Sequence, residues 1–235
     1  MIIKNPKKHY KAILKKYFVP NAFIRRYNIY FKISARFYNK NKPLHHGSFW
    51  YYLSQTQWDN FIDSLLEPIN ETLEKANNLF EVGMGCGAAL KRIHQKHPKL
   101  SLNGLDPEKK AIKLAHKHLP AGKYSVGNGL NMDKIPSNSY DIVISHCVII
   151  YLKNLTQVKQ FCNELIRIAK PGAKIMITSM IDENGKHLGT GNIKIPKNWW
   201  ANNLKNITLD KLITIGELPG CEHQKDRYAV YLTKK

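Results

Sequence analysis

The chain of 235 residues has few cysteines and lacks an uninterrupted apolar segment long enough to cross a bilayer. The four cysteines lie far apart in the sequence: Cys86, Cys147, Cys162 and Cys221. They form neither a disulfide framework nor a paired Cys/His pattern for zinc, so no metal site is expected. The N-terminus also lacks the apolar stretch of a secretory signal. We therefore predict a cytoplasmic protein in a reducing compartment.

Acidic residues are scarce, with 17 Asp and Glu against 37 Lys and Arg, which gives a net charge of +20. The first fifty residues contain no Asp or Glu but have twelve Lys or Arg and eleven aromatic residues. Over 7–18 the apolar residues recur at helical spacing with lysines opposite, and Pro20 follows. This contrast predicts a basic, aromatic helical extension or lid over residues 1–50 and a separate domain over 51–235.

The basic extension admits three interpretations. Residues 7–38 could rest on an anionic membrane surface, because basic and aromatic side chains together suit that interface. Lysines and stacked aromatic rings could instead hold nucleic acid, which we consider the weaker of the two. Alternatively, the aromatic stripe packs on the rest of the protein and covers its site, as most amphipathic helices do in globular proteins.

A glycine-rich turn follows an apolar run in LFEVGMGCGAAL, residues 79–90. A strand that ends in such a turn and leads into a helix predicts bare backbone N–H groups for a nucleotide-like ligand. Gly83, Gly85 and Ala88 satisfy the dinucleotide pattern G-x-G-x-x-G/A. Read with Gly87, the same segment is acidic-x-G-x-G-x-G, with Glu81 as the acidic residue. A nicotinamide cofactor offers no cation to a carboxylate buried there, so Glu81 favours the second pattern.

A second acidic residue is placed to contact a ribose. The segment 100–106 is a short alternating strand that ends at Asp106, nineteen residues after Gly87. A carboxylate at that strand tip can accept hydrogen bonds from both ribose hydroxyls. Pro107 is predicted to start a helix, at the first-turn position where proline is tolerated, and Asp106 could also cap that helix.

Further segments predict the rest of an α/β fold. A buried strand covers 140–152, a helix covers 155–170, Lys170-Pro171-Gly172-Ala173 forms a turn, and a strand covers 174–180. Two strands, 210–218 and 227–234, are joined by a short polar loop and should pair as a hairpin. With Glu81 and the glycines, this order over roughly residues 56–235 resembles the class I S-adenosylmethionine (SAM)-dependent methyltransferases that act on small molecules.

The resemblance implies a Rossmann-like, mostly parallel seven-stranded sheet that ends in an antiparallel hairpin strand, with SAM as the cofactor. It places Glu81 near the amino end of SAM, the glycine turn along the cofactor, Asp106 on the ribose and Asn128 near the adenine. The residues expected to bind the cofactor are Glu81, Gly83, Gly85, Gly87, Asp106, Asn128 and Ser145. At the end of the fourth strand, His146 is the candidate base or acceptor-positioning group, or else a hydrogen-bonded wall residue.

The absence of two motifs limits the classes of methyl acceptor that the sequence supports. The fourth strand ends in SHCV, which differs from the Asn-Pro-Pro-aromatic motif of base-amine methyltransferases, and Cys147 lacks the preceding proline of cytosine-C5 enzymes. We therefore interpret Cys147 as a core residue. A carboxylate pair for magnesium is also not apparent. Trp199 and Trp200 could wall an acceptor pocket or simply pack.

These observations predict a metal-independent methyltransferase that acts on N, O or S of a small-molecule or lipid-like acceptor. The alternatives are an RNA methyltransferase whose basic N-terminus holds phosphates, a non-catalytic SAM-binding or membrane-associated module and, more weakly, an NAD-dependent oxidoreductase.

Overall fold

A computed structural model describes residues 55–180, 195–218 and 227–235 of the chain. All of these belong to the second of the chain's two units, Asn39–Lys235. The predicted N-terminal extension, its helix over 7–18 and the boundary at residue 50 lie outside the described residues. They remain predictions.

The described residues alternate between strands and helices. The strands are β1 (Asn78–Val82), β2 (Ser101–Asp106), β3 (Lys123–Val126), β4 (Tyr140–Ser145), β5 (Ala169–Met180), β6 (Ile207–Thr214) and β7 (Arg227–Lys234). The α-helices are α1 (Gln55–Leu66), α2 (Asn70–Lys75), α3 (Ala88–Lys96), α4 (Lys109–His118), α5 (Leu155–Ile168) and α6 (Trp199–Asn203). Single 3-10 turns cover Glu67–Ile69, Ile149–Tyr151 and Ile215–Glu217.

The strands form one seven-stranded sheet in the order β3-β2-β1-β4-β5-β7-β6. The pairs among β1 to β5 are parallel, whereas β7 pairs antiparallel with both β5 and β6. The predicted fold class, a mostly parallel sheet that ends in an antiparallel hairpin, is confirmed. The strand order reverses between β1 and β4, and in open α/β sheets ligands bind at such a point, beyond the carboxyl ends of the strands.

Helices cover both faces of the sheet because successive strand residues point to opposite sides. Leu79 of β1 joins the apolar cluster on one face, and Phe80 joins the cluster on the other. Helices α1 to α4 pack on the first face, where they bury Phe61, Leu65, Leu73, Leu90, Ile93 and Ile112. Helices α5 and α6 pack on the second face, where they bury Phe161, Leu165 and Trp200. This arrangement leaves the carboxyl edge of β1, β2 and β4 as the place where polar side chains collect.

Several predicted boundaries need correction. Helix α4 begins at Lys109 rather than at Pro107, because the Glu108 side chain caps it by accepting from the Lys110 amide over 3.2 Å. Lys170-Pro171-Gly172-Ala173 lies inside β5 as an irregularity of the β4–β5 pairing, not as a separate turn. The strand predicted at 140–152 ends at Ser145, and Ile149–Tyr151 forms a 3-10 turn. The strand predicted at 210–218 is Ile207–Thr214, since Ile215–Glu217 forms another 3-10 turn. No helix among the described residues is long and apolar enough to cross a membrane.

Candidate functional site

The carboxyl ends of β1, β2 and β4 bring together three of the predicted site residues. Glu81 is the next-to-last residue of β1, Asp106 ends β2, and Ser145 ends β4. The strands pair in parallel with Val82 opposite Leu105 and Glu81 opposite Ile144, so their ends lie at the same edge of the sheet. All three residues are buried. This edge is the candidate cofactor site.

The glycine turn after β1 depends on backbone conformations that side chains disfavour. Gly83, Gly85 and Gly87 have φ values of 75°, 55° and 77°, in the left-handed region. A Cβ on Gly83 would in addition overlap the Cγ2 atom of Val148, which follows β4. The left-handed backbone therefore favours glycine at all three positions. At Gly83 the close approach of Val148 also leaves no room for a side chain.

The amide groups of this turn are not bare, which corrects the sequence-based expectation. The amides of Gly83 and Met84 donate to the carbonyl oxygen of Leu105 over 2.8 and 3.1 Å, and the Gly85 amide donates to Asp106 Oδ2 over 2.9 Å. A dinucleotide site uses backbone amides of this region to hold a pyrophosphate. These three amides are already bound within the protein and are therefore not free to hold a phosphate.

Glu81 carries a buried carboxyl group with an unsatisfied oxygen. The residue is 2% exposed, and its Oε2 atom has no hydrogen-bond partner. Burial, together with the nearby charge of Asp106, raises the pKa of Glu81 from 4.5 to about 8. An unpaired carboxyl group at this depth costs free energy unless a ligand satisfies it. A cationic group placed here would pair with Oε2 and lower that pKa again.

The Asp106 carboxylate links β2 to its neighbours. Oδ2 accepts from the Gly85 amide, and Oδ1 accepts from the Glu108 amide, both over 2.9 Å. Asp106 is therefore not the cap residue of α4, although it orders the segment that precedes it. An ionised carboxylate has about four acceptor positions. The two backbone bonds are thus compatible with the predicted ribose contact, which stays a prediction.

Asn128 follows β3 and lies in an exposed turn. Its Oδ1 atom accepts from the Leu130 amide over 2.9 Å, and the neighbouring Gly127 amide donates to the carbonyl of Asp106 over 3.1 Å. The second bond holds the turn beside the end of β2. The Asn128 side-chain oxygen already has one donor, so an adenine amino group would have to use its remaining lone pair.

Ser145 makes its hydrogen bond within the sheet, and its predicted contact with the cofactor stays a prediction. It is fully buried, and its hydroxyl group donates to the carbonyl oxygen of Val82 over 3.0 Å. The bond ties the end of β4 to the end of β1. Ser145 therefore positions the two strands on either side of the switch point.

His146 is half-buried directly after β4, and both of its ring nitrogens have partners within the protein. Nδ1 lies 2.9 Å from Thr178 Oγ1, and Nε2 lies 3.6 Å from Cys147 Sγ. Its ring packs against Trp58 and Phe61 of α1, with centroid distances of 6.1 and 5.7 Å. To act as a base on an acceptor, His146 would have to exchange one of these partners. The geometry favours the wall-residue alternative.

Thr178 and Cys147 are residues whose importance the sequence did not reveal. Thr178 lies in β5, one position beyond the Ser145–Ile177 pair, so the parallel register places it beside His146. Cys147 is half-buried rather than a true core residue, and its backbone has a φ of 57°. The only signal in the sequence was the position of Cys147 at the end of a strand.

The two adjacent tryptophans pack instead of forming a pocket wall. Trp200 is fully buried, and its Nε1 atom donates to the Tyr228 hydroxyl over 2.7 Å. That hydroxyl donates in turn to the carbonyl of Ile195 over 2.9 Å. Within the described ranges, no three His, Cys, Asp or Glu side chains are grouped to hold a metal ion.

Comparison with known proteins adds an independent finding. Residues 80–177 match the family model described as a methyltransferase domain. The demethylmenaquinone methyltransferase of Thermotoga maritima is 24% identical over 138 residues, which cover 59% of this chain and 56% of that protein. The ajmaline N-methyltransferase of Rauvolfia serpentina is 27% identical over 115 residues, which cover 46% and 38%. The chain thus spans about half or less of the length of these curated relatives.

Solved structures share the fold. The N-methyltransferase NodS of Bradyrhizobium japonicum superposes with a TM-score of 0.57 at 16% identity, over 77% of this chain and 93% of NodS. Its complex with S-adenosyl-l-homocysteine superposes with a TM-score of 0.56. At this level of identity the likeness establishes the architecture.

Proposed function

We propose that this chain, of which residues 80–177 match the methyltransferase domain model, is a class I SAM-dependent methyltransferase that binds SAM at the carboxyl edge of β1 and β2 and methylates a small-molecule or lipid-like acceptor. The unsatisfied Oε2 atom of Glu81 carries the proposal. Its carboxyl group is buried beside the glycine turn, and the amino group of SAM is a cation that would pair with it.

The other residues of the edge fit the same cofactor. Asp106 would accept hydrogen bonds from the ribose hydroxyls, and Asn128 would lie near the adenine. The left-handed backbone at the three glycines would let the turn follow the cofactor without a side chain between them. SAM carries its methyl group on a sulfonium, which is already a good leaving group, so the protein has mainly to align the acceptor and exclude water.

The acceptor side would begin at the end of β4. His146 is fixed there by Thr178 and Cys147 and is packed against α1. We assign it to the wall that positions the acceptor. A base is needed only if the acceptor must lose its proton early.

A small-molecule or lipid-like acceptor is supported by the curated relatives. Their names assign them to demethylmenaquinone and ajmaline, neither of which is a nucleic acid. The acceptor atom would be N, O or S.

Calorimetry and a labelled-methyl assay test the proposal together. Titration with SAM, S-adenosylhomocysteine and NAD is expected to show binding of the first two and none of NAD. Labelled SAM would then be offered to metabolite, lipid and RNA fractions, with Glu81→Gln as the matched inactive control. Label in the metabolite or lipid fraction supports the proposal, whereas label confined to RNA assigns the rival acceptor. Binding of NAD without SAM would overturn the proposed cofactor.

A further inference from the structure

A thiol, an imidazole and a hydroxyl group form a closed set of contacts at the ends of β4 and β5. Cys147 Sγ lies 3.6 Å from His146 Nε2 and 3.8 Å from Thr178 Oγ1. His146 Nδ1 lies 2.9 Å from the same threonine oxygen. We call these three residues the thiol cluster. The proposed methyl transfer does not use the Cys147 thiol.

The backbone holds the thiol in this position. Cys147 has a φ of 57°, which is uncommon for any residue with a side chain and persists only where the surroundings fix it. Its amide donates to Thr178 Oγ1 over 2.8 Å. The next residue, Val148, packs on Gly83 of the glycine turn. The backbone therefore fixes Cys147 beside Thr178 and His146, one residue before the contact with the glycine turn.

The hydrogen bonds of the thiol cluster allow a proton to leave the sulfur. A threonine hydroxyl group has one donor and two acceptor positions. Thr178 can accept from the Cys147 amide and from His146 Nδ1–H while it donates to the sulfur. His146 Nε2 then faces the sulfur as the acceptor of the thiol proton. After the transfer, the sulfur accepts hydrogen bonds from both neighbours, so the thiolate has partners without any rearrangement.

The groups around the thiol cluster also favour loss of the thiol proton. Burial alone would raise the pKa of the Cys147 thiol, but His146, the buried Arg227 of β7 and the Thr178 hydroxyl outweigh it and lower the pKa to about 6. Two other cysteines provide the contrast, because burial raises the pKa of Cys86 to about 12 and that of Cys162 further. Cys221 lies outside the described residues.

We propose that Cys147, which precedes the residue that contacts the glycine turn, is a modification site. Hydroperoxides oxidise its thiol, with His146 as the base. The thiol proton moves to His146 Nε2, and the sulfur attacks one peroxide oxygen. The S–O bond forms as the O–O bond breaks, and the departing oxygen takes the proton from Nε2 and leaves as water or, from an organic peroxide, as an alcohol. The sulfur is oxidised by two electrons to a sulfenic acid, and the peroxide is reduced by two.

Oxidation at this position would interfere with methyl transfer, a consequence that rests on the proposed function. The added oxygen enlarges a side chain next to Val148, which contacts Gly83, and next to His146 on the acceptor side. Thiol reductants would restore the free thiol, since sulfenic acid is the reversible step of cysteine oxidation.

Thiol alkylation on the full chain tests the reactivity without requiring any methyl transfer. Short pulses of iodoacetamide from pH 5 to pH 9, resolved for each cysteine by peptide mass spectrometry, are expected to give Cys147 a half-maximal rate near pH 6. Cys86 and Cys162 should stay unlabelled at pH 7. A Cys147 rate that rises only above pH 8 would overturn the proposal.

Substitutions identify the base. An ordinary thiol with a pKa near 8.5 is only roughly 0.3% ionised at pH 6, and its greater intrinsic nucleophilicity offsets part of that loss. His146→Phe keeps a ring against α1 and should slow Cys147 alkylation at pH 6 at least about tenfold. An unchanged rate in a folded variant contradicts the role of His146. If His146→Phe does not fold, Thr178→Ser and Thr178→Val serve instead: the serine variant should keep the profile, and the valine variant should move it to higher pH.

Peroxide treatment then tests the consequence. Dimedone should trap a sulfenic acid at Cys147, and methyl transfer should fall and return with dithiothreitol. Cys147→Ser should show no peroxide-dependent change from its own untreated rate. Equal loss in Cys147→Ser would overturn the regulatory role. If the untreated chain transfers no methyl group, the proposed function fails, while the alkylation profile still decides the reactivity of Cys147.

Discussion

The amide of Gly85 donates a hydrogen bond to Oδ2 of Asp106 over 2.9 Å, across the gap between the glycine turn and the end of β2. The bond makes one carboxylate responsible for the shape of the turn as well as for the predicted ribose contact. Its other oxygen orders the segment before α4. Loss of Asp106 should therefore affect stability and cofactor affinity together.

Asp106→Ala is expected to weaken SAM binding by at least about 1–3 kcal/mol, the usual scale for hydrogen bonds to a charged group. It should also lower stability, because two amides lose their acceptor. Asp106→Asn keeps one acceptor oxygen, so its SAM affinity and its stability should lie between those of the wild-type protein and Asp106→Ala. Calorimetry and thermal unfolding would measure both effects, with the exposed Asp133→Ala as the charge-matched control. Unchanged SAM affinity in Asp106→Ala would contradict the ribose role.

Glu81→Gln should stabilise the folded protein at neutral and alkaline pH while it removes SAM binding. The folded-state pKa of about 8 lies above the ordinary value of 4.5, so the folded state holds a proton that the unfolded state releases between those values. The stability of the wild-type protein should then fall as pH rises through this window, by up to about 1.4 kcal/mol per pH unit. Urea unfolding from pH 5 to pH 9 would show the slope lost in Glu81→Gln. Parallel curves for the two proteins would show that Glu81 is not the titrating group.

Binding of SAM at pH 7 should release protons. Glu81 is mostly protonated at that pH, since its pKa is about 8, and pairing with the amino group of SAM would lower the pKa. Calorimetry in buffers of different ionisation enthalpy should then report a release of up to roughly 0.9 protons per SAM. The matched control is 5′-methylthioadenosine, which lacks the amino acid part and should release none. Equal release with both ligands would place the proton elsewhere.

Gly83→Ala should destabilise the protein more than Gly172→Ala. Both glycines have left-handed backbones, with φ values of 75° and 80°. A Cβ on Gly172 meets nothing within 4 Å, so its substitution should cost only the backbone strain, about 1–2 kcal/mol. A Cβ on Gly83 also overlaps Val148, which adds about 1–3 kcal/mol.

A double-mutant cycle separates the two parts of that cost. Val148→Ala combined with Gly83→Ala should recover the overlap but not the strain, as measured by denaturant unfolding. Additive effects of the two substitutions would mean that the turn relaxes without contact between these residues.

The basic N-terminal segment should bind anionic vesicles in a salt-dependent manner. A polybasic segment gains about 1 kcal/mol for each Lys or Arg near such a surface, and salt screens the attraction. Replacement by Gln of five lysines of that segment should therefore weaken vesicle sedimentation: Lys7, Lys8, Lys11, Lys15 and Lys16. The charge-matched control replaces five exposed lysines of the described domain: Lys109, Lys110, Lys113, Lys117 and Lys123. Equal losses in both variants would indicate general attraction and no specific contact.

Removal of residues 1–40 tests whether the aromatic stripe packs on the domain. Loss of stability would support the lid interpretation, and unchanged stability with lost vesicle binding would support the membrane interpretation.

The sequence by itself determined the strand-and-helix order and the glycine turn, and with them the resemblance to the methyltransferases. The glycine turn could be recognised because left-handed backbone conformations favour glycine. The strands could be recognised because burial imposes short apolar or alternating runs of residues. The exact start of α4 was missed, because the side chain of Glu108, and not the ring of Pro107, caps the helix.

Only the tertiary structure decided what the polar side chains contact. The amides expected to be bare are bound to Leu105 and Asp106, and Ser145 bonds to Val82, because parallel register brings these strand ends together. Thr178 reaches His146 and Cys147 from a strand about thirty residues later. Local patterns report backbone preferences within one element, whereas side-chain partners depend on strand order and register, which are set by packing of the whole sheet.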